Sequence, residues 1–427
     1  MFFEKEKELI CFISLSTSVV HVKELLIKQW CEKRPSLVIS ITGGAKDYRM
    51  ESKLLRAFRR GLSKVARTTG AWIITGGMNT GIMKLVGEIV QINPDRSRPI
   101  HLIGIATWGC VSNVAQLDVH GANVHYCKSR SEQKGEAPLE PNHTEFIFVD
   151  DGSERKYGRE ITFRARLEQA ISDPVPVVLL VVEGGPNTVR TVHEAVVQNN
   201  IPAVFFEGTG RCCDLFAKAL RLYNEYHKNL EILEDISNAD PSTVLRRYDE
   251  LKNKLREELR DEIRGISSSS SDPSNNDTDY FELVYECIDT RKIFLNVVSL
   301  TSRDSVEPDI DLAILQALLN GSDSSKSNNQ RKREQFHLAL EWNRPDIAKN
   351  YIMKNDRDWD RINLNDMFEE ALERNQIEFV RLFLDHDFSL TDVFRDNDKL
   401  PSLYEHTFKE VNILRHTFCL LFIHSFE

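Results

Sequence analysis

The sequence predicts an α/β fold: a Rossmann-like, doubly wound parallel sheet followed by an all-α region. Six short apolar runs do not alternate with polar residues, which is typical of strands buried on both faces of a parallel sheet. Four of these runs end on glycine pairs or near-pairs. Helical patterns separate the runs, and the sequence after the sixth run is mostly helical in its patterning.

Six strands are predicted, in chain order. They are Leu37 to Ile41, Ala71 to Ile74, Leu102 to Ala106, Phe146 to Val149, Val177 to Val182 and Ala203 to Phe206. After the second run, Ile82, Val86 and Ile89 recur at helical spacing and predict the helix that follows it. Together these patterns predict a parallel sheet of about six strands with helices on both faces.

Glycines follow four of the predicted strands. The endings are Thr42-Gly43-Gly44, Thr75-Gly76-Gly77, Glu183-Gly184-Gly185 and Glu207-Gly208-Thr209-Gly210. Ligands of parallel sheets bind beyond the carboxyl ends of the strands, where glycine allows close approach of the backbone and a helix N-terminus attracts anions. The second loop continues through Thr80 and Gly81 into its helix, without a GxGxxG or Walker A pattern. The glycines therefore predict a nucleotide or phosphate site, with tight turns alone as the alternative.

Cationic and aromatic side chains lie close to these loops in sequence. Arg211 directly follows Gly210, and a guanidinium can bind a phosphate through two parallel hydrogen bonds. Tyr157 and Arg164 come shortly after the fourth strand. We expect Tyr157 to stack on a base or ribose and Arg164 to meet a diphosphate, the alternative being ordinary surface side chains.

The chain after the predicted sheet divides into a connector and a repeat region. We predict domains at 1–222, 223–300 and 301–427: the sheet domain, a charged helical connector with a Ser/Asn-rich loop at 267–277, and helical repeats after a second loop at 321–329. Residues 339–348 align with 371–380, an offset of 371 − 339 = 32. This is close to the roughly 33 residues of an ankyrin unit, although neither copy carries the Thr-Pro-Leu-His signature. We therefore expect ankyrin-like helical pairs, the beginning of a longer solenoid that the chain carries only in part.

Composition excludes several classes of protein. The net charge of −10 over 427 residues argues against a general nucleic-acid binder. The eight cysteines show no CxxC spacing, which favours a reduced, cytosolic compartment and gives no reason to predict a metal site. No run approaches the roughly 20 apolar residues that cross a bilayer, and Glu4 to Glu8 interrupt any signal peptide. We expect this chain to be soluble by itself.

Several motifs in one order resemble the cytosolic N-terminal homology regions of TRPM (melastatin-type) cation channels. They are Leu37 to Phe58, Thr68 to Gly81, Ile103 to Gly109, Val182 to Asn187, Asp309 to Leu315 and Leu338 to Ala348. The resemblance covers about residues 20–395. It implies a SLOG-type Rossmann-like domain followed by the ankyrin-like part of the channel's cytosolic skirt.

The resemblance also implies a function and a set of site residues. In the ADP-ribose-gated branch, the residues at these positions hold a nucleotide: Thr42, Gly76, Gly77, Met83, Tyr157, Arg164, Gly184, Gly185 and Arg211. We add their loop neighbours Gly43, Gly44, Thr80, Gly81, Pro186, Asn187, Thr188, Gly208 and Gly210. The implied role is the regulatory and assembly region of a calcium-permeable or non-selective, homotetrameric channel of the plasma membrane. The ligand would be ADP-ribose or a related nucleotide, no cofactor is required, and the pore segments would lie outside this chain.

Two alternatives stay open at this point. SLOG relatives include nucleotide phosphoribohydrolases, whose Gly-Gly-x-Gly-Thr-x-x-Glu loop supplies a catalytic carboxylate where this chain has Thr191. Glu194 lies three residues later, which rotates its side chain by roughly 300° on a helix, so we predict no enzyme. Asn187 stands where the ADP-ribose-gated branch tends to have glycine, which leaves a ligand-free interaction domain as the second alternative.

Overall fold

The chain divides into two compact units, Met1–Gly321 and Ser322–Glu427. The computed structural model describes residues 9–31, 34–46, 50–92, 100–119, 124, 126–127, 133–173, 175–232, 241–267, 278–299, 309–321, 327–353 and 364–386. Most of both predicted loops, at 268–277 and 322–326, lies outside the described residues, as does the chain beyond 386.

The first unit is built on one sheet of eight strands. The strands are β1 (Leu9–Ser14), β2 (Val38–Gly43), β3 (Trp72–Thr75), β4 (Leu102–Thr107), β5 (Glu145–Asp150), β6 (Val177–Val182), β7 (Ala203–Glu207) and β8 (Leu295–Ser299). Their order across the sheet is β1-β5-β4-β3-β2-β6-β7-β8, and every neighbouring pair is parallel. The prediction of an α/β parallel sheet is confirmed, whereas the predicted number of strands was too small by the two edge strands, β1 and β8.

Ten helices of this unit are described. They are α1 (Val19–Leu25), α2 (Ser52–Thr69), α3 (Gly81–Ile92), α4 (Ile161–Ile171), α5 (Pro186–His193), α6 (Arg211–Ile232), α7 (Pro241–Glu258), α8 (Arg260–Ser267), α9 (Tyr280–Arg291) and α10 (Ile310–Asn320). A π-helical turn extends α1 over Leu26–Trp30, and another extends α5 over Glu194–Gln198.

Burial explains the sequence pattern of the inner strands. Every residue of β3, β4 and β6 is buried, so these strands contact helices on both faces and carry unbroken apolar runs. In the edge strand β8 only Leu295 is buried, and the residues after it are partly or fully exposed, Val297 among them. A half-exposed strand lacks the continuous run, and for this reason it is hard to recognise beside a parallel core.

The first compact unit includes the predicted connector and the helix that follows it, while the three predicted domains stay a prediction. The predicted boundary at 222 falls inside α6, and the boundary at 300 separates α10 from the helix it packs against. Ile310 lies against Gly61 of α2, where an added Cβ would come within 2.7 Å of the Ile310 Cβ. Lys64 of α2 pairs with Asp311 at 2.5 Å. The structure therefore places the division after Gly321.

The described residues of the second unit form helical pairs. The helices are α11 (Asn328–Glu341), α12 (Pro345–Ile347, continued by a π-helical turn at Ala348–Ile352), α13 (Asn365–Glu373) and α14 (Ile377–Asp385). The repeat seen in the sequence returns in the backbone, because Asn343 and Asn375 both adopt left-handed φ values, 49° and 52°. The next N–H in each copy donates to a carbonyl five residues back at 2.9 Å, Arg344 to Ala339 and Gln376 to Ala371. The assignment of these pairs to the ankyrin type stays a prediction.

Among the described residues, no helix is both long enough and apolar enough to span a bilayer.

Candidate functional site

The strand order places a topological switch point between β2 and β6. The chain runs from β2 to β3 on one side and from β6 to β7 on the other, while β2 and β6 pair from Val38↔Val177 to Gly43↔Val182. Ligands of open α/β sheets bind beyond the carboxyl ends of such strands. We call the space bounded by loops 42–46, 76–81, 183–188 and 207–211 the switch-point crevice.

The loops after β2 and β6 lie in direct contact. A Cβ added at Gly43 would overlap the carbonyl oxygen of Val182, so only glycine allows this approach. The Thr188 hydroxyl donates to the Gly43 carbonyl at 3.3 Å, and the Gly44 N–H donates to the Val182 carbonyl at 3.1 Å. The structure thus brings together the predicted residues of the first and third glycine loops.

Helix α3 begins against the loop after β2. The Ile82 N–H donates to the Gly44 carbonyl at 2.9 Å, and Gly81 adopts a left-handed φ of 49°. Met83 then lies over Gly76, where an added Cβ would come within 2.7 Å of the sulfur. This arrangement corrects one expectation, because the Ile82 N–H is used inside the protein and is not offered to an anion.

Gly81→Ala is expected to destabilise the first unit more than a glycine change at an open left-handed position. The new Cβ would overlap the Gly44 carbonyl, and relieving such overlap costs about 1–3 kcal/mol beyond about 1–2 kcal/mol for the left-handed backbone. Gly70→Ala is the matched control, since Gly70 has a φ of 60° with no atom within 4 Å. Urea unfolding of both variants measures the difference, and equal losses would contradict the close contact.

The start of α5 meets the loop that carries Tyr157. Helix α5 begins at Pro186 after Gly185, and the Thr188 and Val189 N–H groups both donate to the Gly185 carbonyl. Gly158, with a φ of 87°, lies against the Asn187 amide, which an added Cβ would approach to 2.9 Å. Tyr157 is exposed beside this contact. The predicted tyrosine therefore lies at the edge of the switch-point crevice.

Arg211 lies across the crevice from this loop. Its guanidinium covers Gly185, where an added Cβ would come within 2.7 Å of Nη2, and its side chain is 29% exposed. Its backbone has a left-handed φ of 48° at the first residue of α6. Such a backbone costs about 1–2 kcal/mol for a residue other than glycine. The structure therefore places the guanidinium of Arg211, a predicted site residue, over Gly185 at the start of α5.

Glu183 is a site residue that the sequence reasoning missed. Its backbone is left-handed with a φ of 56°, and its N–H donates to the Thr209 hydroxyl at 2.8 Å. The carboxyl is 14% exposed, its Oε1 lies 4.0 Å from Nη1 of Arg211, and a Cβ on Gly210 would lie 3.8 Å from its Cγ. Its Oε2 is buried and has no hydrogen-bond partner among the described residues. The available signal was an acidic residue immediately before a glycine pair at a strand end.

Burial raises the pKa of Glu183 above its ordinary value, and nearby Arg211 opposes part of this rise. The folded protein therefore holds this proton more tightly than the unfolded chain does. Ionisation of Glu183 therefore lowers the free energy of unfolding. This loss is absent below the ordinary pKa, grows as the pH rises, and is complete above the raised pKa.

Glu183→Gln is expected to gain stability relative to the unmodified protein as the pH rises from about 4.5 to 7, because the variant has no carboxyl to ionise at this position. Urea unfolding at the two pH values measures the difference. Glu207→Gln, at the end of β7, is the matched control. An unchanged or reversed difference would contradict the assigned burial of the carboxyl.

Arg164 lies beneath the crevice. Its Nε donates to Glu168 at 2.8 Å, and its Nη2 donates to the Ser40 hydroxyl at 2.7 Å and to the carbonyls of Ile41 and Ile74 at 3.0 and 3.2 Å. The side chain is 6% exposed. The expectation of an arginine that simply meets a diphosphate thus needs correction. Nε is bonded to Glu168 of the same helix, Nη2 holds the ends of β2 and β3 together, and only Nη1 remains outside these bonds.

Two other predicted glycines have structural explanations. Gly77 packs against Gly104 and Phe146, both of which would lie about 3 Å from an added Cβ. Gly208 is open on its Cα side, and its N–H donates to the Asp214 carboxylate at 2.7 Å, which fixes the start of α6. These contacts explain both glycines without a ligand.

Side chains of α5 and α6 that are chemically capable of catalysis are engaged in structural contacts or buried. The buried Thr191 hydroxyl donates to the Asn187 carbonyl at 2.9 Å, and the ring of His193 contacts Glu286 of α9 at 2.8 Å. Burial raises the pKa of Cys213 to about 12, and the pKa of Cys212 is raised by the same cause. These contacts favour packing over nucleophilic or acid-base roles.

A separate groove of about 960 Å³ lies over α2 and is lined by cationic residues. They include Arg56, Arg59, Arg60, Lys64 and Arg67. None of the predicted site residues lines it. The groove therefore offers a second, competing location for an anionic ligand, and an experiment on the crevice has to distinguish the two.

Comparison with known families gives two matches. The family described as SLOG in TRPM matches residues 10–263, and the family described as TRPM2-like domain matches residues 351–418. The first match covers the described sheet from the second residue of β1 to the end of β7 and includes every predicted site residue.

Relatives with curated descriptions resemble nearly the whole chain. It is 38% identical over 411 residues to transient receptor potential cation channel subfamily M member-like 2 of Nematostella vectensis, covering 92% of this chain and 24% of the relative. It is 34% identical to subfamily M member 2 of Rattus norvegicus, covering 92% and 25%, and 35% identical to subfamily M member 6 of Homo sapiens, covering 94% and 19%. The chain thus spans about a quarter or less of the length of these relatives.

Proposed function

Since this chain belongs to the TRPM-type SLOG family, we propose that it is the N-terminal regulatory and assembly region of a TRPM-type cation channel, and that its switch-point crevice binds ADP-ribose or a related nucleotide. In this role it acts with the other subunits of a homotetrameric channel. Its link to the membrane is through pore segments outside this chain. The named relatives are cation channels, which supports the channel part of the proposal.

The observation that carries the nucleotide proposal is the guanidinium of Arg211 over Gly185 at the N-terminus of α5. The aligned peptide dipoles of a helix favour negative charge at this end. A planar guanidinium adds two parallel donors that match a phosphate. The loops after β2 and β6, which lie in direct contact, bound the other side of the crevice. Together these groups fit a diphosphate at the switch point.

The remaining groups of the crevice fit a sugar and a base. Oε2 of Glu183 and Oδ1 of Asn187 are buried acceptors without partners among the described residues, and ribose hydroxyls are suitable donors for both. The exposed ring of Tyr157 offers a face for an adenine. The class of ligand favoured is therefore a nucleoside diphosphate that carries ribose, of which ADP-ribose is the first to test.

Isothermal titration calorimetry of the purified chain with ADP-ribose tests this proposal. We expect one equivalent to bind, with a thermal shift that grows with ligand concentration, since ligand at 100 times Kd stabilises by about 2.7 kcal/mol. Ribose 5-phosphate, which lacks the diphosphate and the base, is expected to bind more weakly. Neither heat nor a thermal shift at millimolar ADP-ribose would leave a ligand-free interaction domain as the better account.

A phosphoribohydrolase is the rival function, and the geometry disfavours it. Thr191 supplies a hydroxyl already bonded to the Asn187 carbonyl at the position where hydrolases of this type have a carboxylate. We expect no free base after incubation of the chain with nucleoside monophosphates, as measured by liquid chromatography. Base release that scales with protein concentration would overturn this expectation.

A further inference from the structure

Three side chains of different chemistry meet at the amino ends of the strands, away from the switch-point crevice. The Cys31 sulfur lies 3.5 Å from Nδ1 of His101, and that nitrogen lies 2.8 Å from Oε1 of Glu145. The ligand atoms of all three residues lie within 4.8 Å of one another. A thiol, an imidazole and a carboxylate are thus available to one small ion.

Rigid elements hold each of these residues. Cys31 ends the π-helical turn after α1, where its N–H donates to the Leu26 carbonyl at 2.9 Å. The carbonyl of His101 accepts from the Ile73 N–H of β3 at 2.9 Å. Glu145 opens β5 and is in register with Leu9 of β1. The backbone positions of the three donors are therefore fixed before any ion binds, which lowers the cost of assembling a site.

We propose that Cys31, His101 and Glu145 form a three-ligand binding site for Zn²⁺, with the fourth position open to water or to another ligand. Thiolate, imidazole and carboxylate are all zinc ligands, and the thiolate disfavours magnesium and calcium. Bond lengths of about 2.3 Å to sulfur and about 2.05 Å to nitrogen place these two atoms about 3.5 Å apart in a tetrahedral site. The Cys31–His101 distance already has this value.

The His101–Glu145 contact has to change when the ion enters. At 2.8 Å it is a direct hydrogen bond, whereas two ligands of one tetrahedral zinc ion lie about 3.4 Å apart. The ion therefore takes the place of the shared proton, Nδ1 becomes a ligand, and the imidazole proton moves to Nε2. The distance between the His101 nitrogen and the Glu145 oxygen must therefore grow by roughly 0.6 Å. A carboxylate can accommodate this change by rotating about its last bond. The thiol proton of Cys31 is released to solvent when the sulfur binds the ion as a thiolate.

The surroundings supply support and access. The Thr144 hydroxyl donates to the second oxygen of Glu145 and orients the carboxylate, as outer groups commonly do at zinc sites. The Trp72 ring meets the imidazole edge-on, with the centroids 6.3 Å apart. Cys31 and Glu145 are 2% and 4% exposed, whereas His101 is 24% exposed and lies on the path for the ion and for the fourth ligand.

Zinc and cobalt titration of the full chain tests this site. With zinc competed against a chromophoric chelator, we expect one equivalent, and with Co²⁺ we expect the near-ultraviolet charge-transfer band of a cobalt-thiolate bond. Cys31→Ser should abolish that band and weaken zinc binding by at least about tenfold. Cys110→Ser is the matched control, because its thiol is equally buried but lies outside the cluster.

Two results would overturn the proposal: no zinc retained at micromolar concentration, or binding to Cys31→Ser as tight as to the unmodified chain. Should Cys31→Ser fail to fold by circular dichroism, His101→Gln decides, because that partly exposed ring can be replaced with little loss of packing. An unchanged affinity of His101→Gln for zinc would then reject the site. ADP-ribose calorimetry on the same variants separates this result from any failure of the crevice to bind nucleotide.

Discussion

Arg164→Ala is expected to lower the free energy of unfolding by about 3–5 kcal/mol, the usual cost of removing one partner from a buried ion pair. The change leaves Glu168 as a carboxylate that is 2% exposed and has lost its cation. It also removes the donor shared by the carbonyls of Ile41 and Ile74 at the ends of β2 and β3. Urea unfolding followed by circular dichroism measures the loss.

Arg166→Ala is the matched control on the same helix, because Arg166 is exposed. Its effect should stay within about 0.5 kcal/mol, as for most surface substitutions. A loss for Arg164→Ala of less than about 1 kcal/mol would mean that this network does not hold the ends of β2 and β3 together. Because Arg164→Ala would destabilise the fold, a loss of binding by this variant would not distinguish a missing ligand contact from a damaged fold. It is therefore a poor test of ligand recognition.

Arg211→Ala is expected to weaken ADP-ribose binding by about 10- to 100-fold. Hydrogen bonds to charged groups contribute about 1.5–3 kcal/mol, and each 1.4 kcal/mol is a factor of ten in Kd. The folded state should change little, since the Arg211 side chain is 29% exposed and interactions of exposed charges contribute about 1 kcal/mol or less. Calorimetry gives the affinity, and urea unfolding checks that the fold is intact.

Lys228→Ala is the control for charge on the same helix, because Lys228 is exposed and lies far along α6 from Arg211. It removes the same charge from α6 at more than about four turns from Arg211. We expect its affinity for ADP-ribose to match that of the unmodified chain. Equal losses for the two variants would mean that the ligand responds to overall charge and not to the guanidinium above Gly185.

The inner part of the sheet could be predicted from the sequence because burial on both faces leaves a local signal. In β6, all six residues are apolar and buried, and the glycines that follow mark its end. The edge strands are harder to recognise. β1 has an apolar run from Leu9 to Ile13, but Phe12 is exposed and no glycine follows the run. β8 lacks such a run and pairs with β7 only after nearly ninety intervening residues, a separation over which local patterns give no information.

Site residues in the strand-end loops could be predicted from the sequence. Site residues whose side-chain direction depends on packing between distant segments could not. Gly43 lies against Val182 and the Arg211 guanidinium covers Gly185, because parallel strands bring their carboxyl ends to one edge. The inward direction of Arg164 depends on Ser40 and Glu168, which nothing in its local sequence reveals. The cysteine, histidine and glutamate of the proposed zinc site come from three distant segments, so spacing rules for metal ligands could not find them.

The most direct measurement of the central claim is a crystal structure of the chain with ADP-ribose. The account predicts a diphosphate within about 3 Å of the Arg211 guanidinium and beside the first turn of α5, with the ribose toward Glu183. A ligand found instead in the cationic groove over α2, along Arg56, Arg60 and Arg67, would contradict the assignment of the switch-point crevice as the nucleotide site.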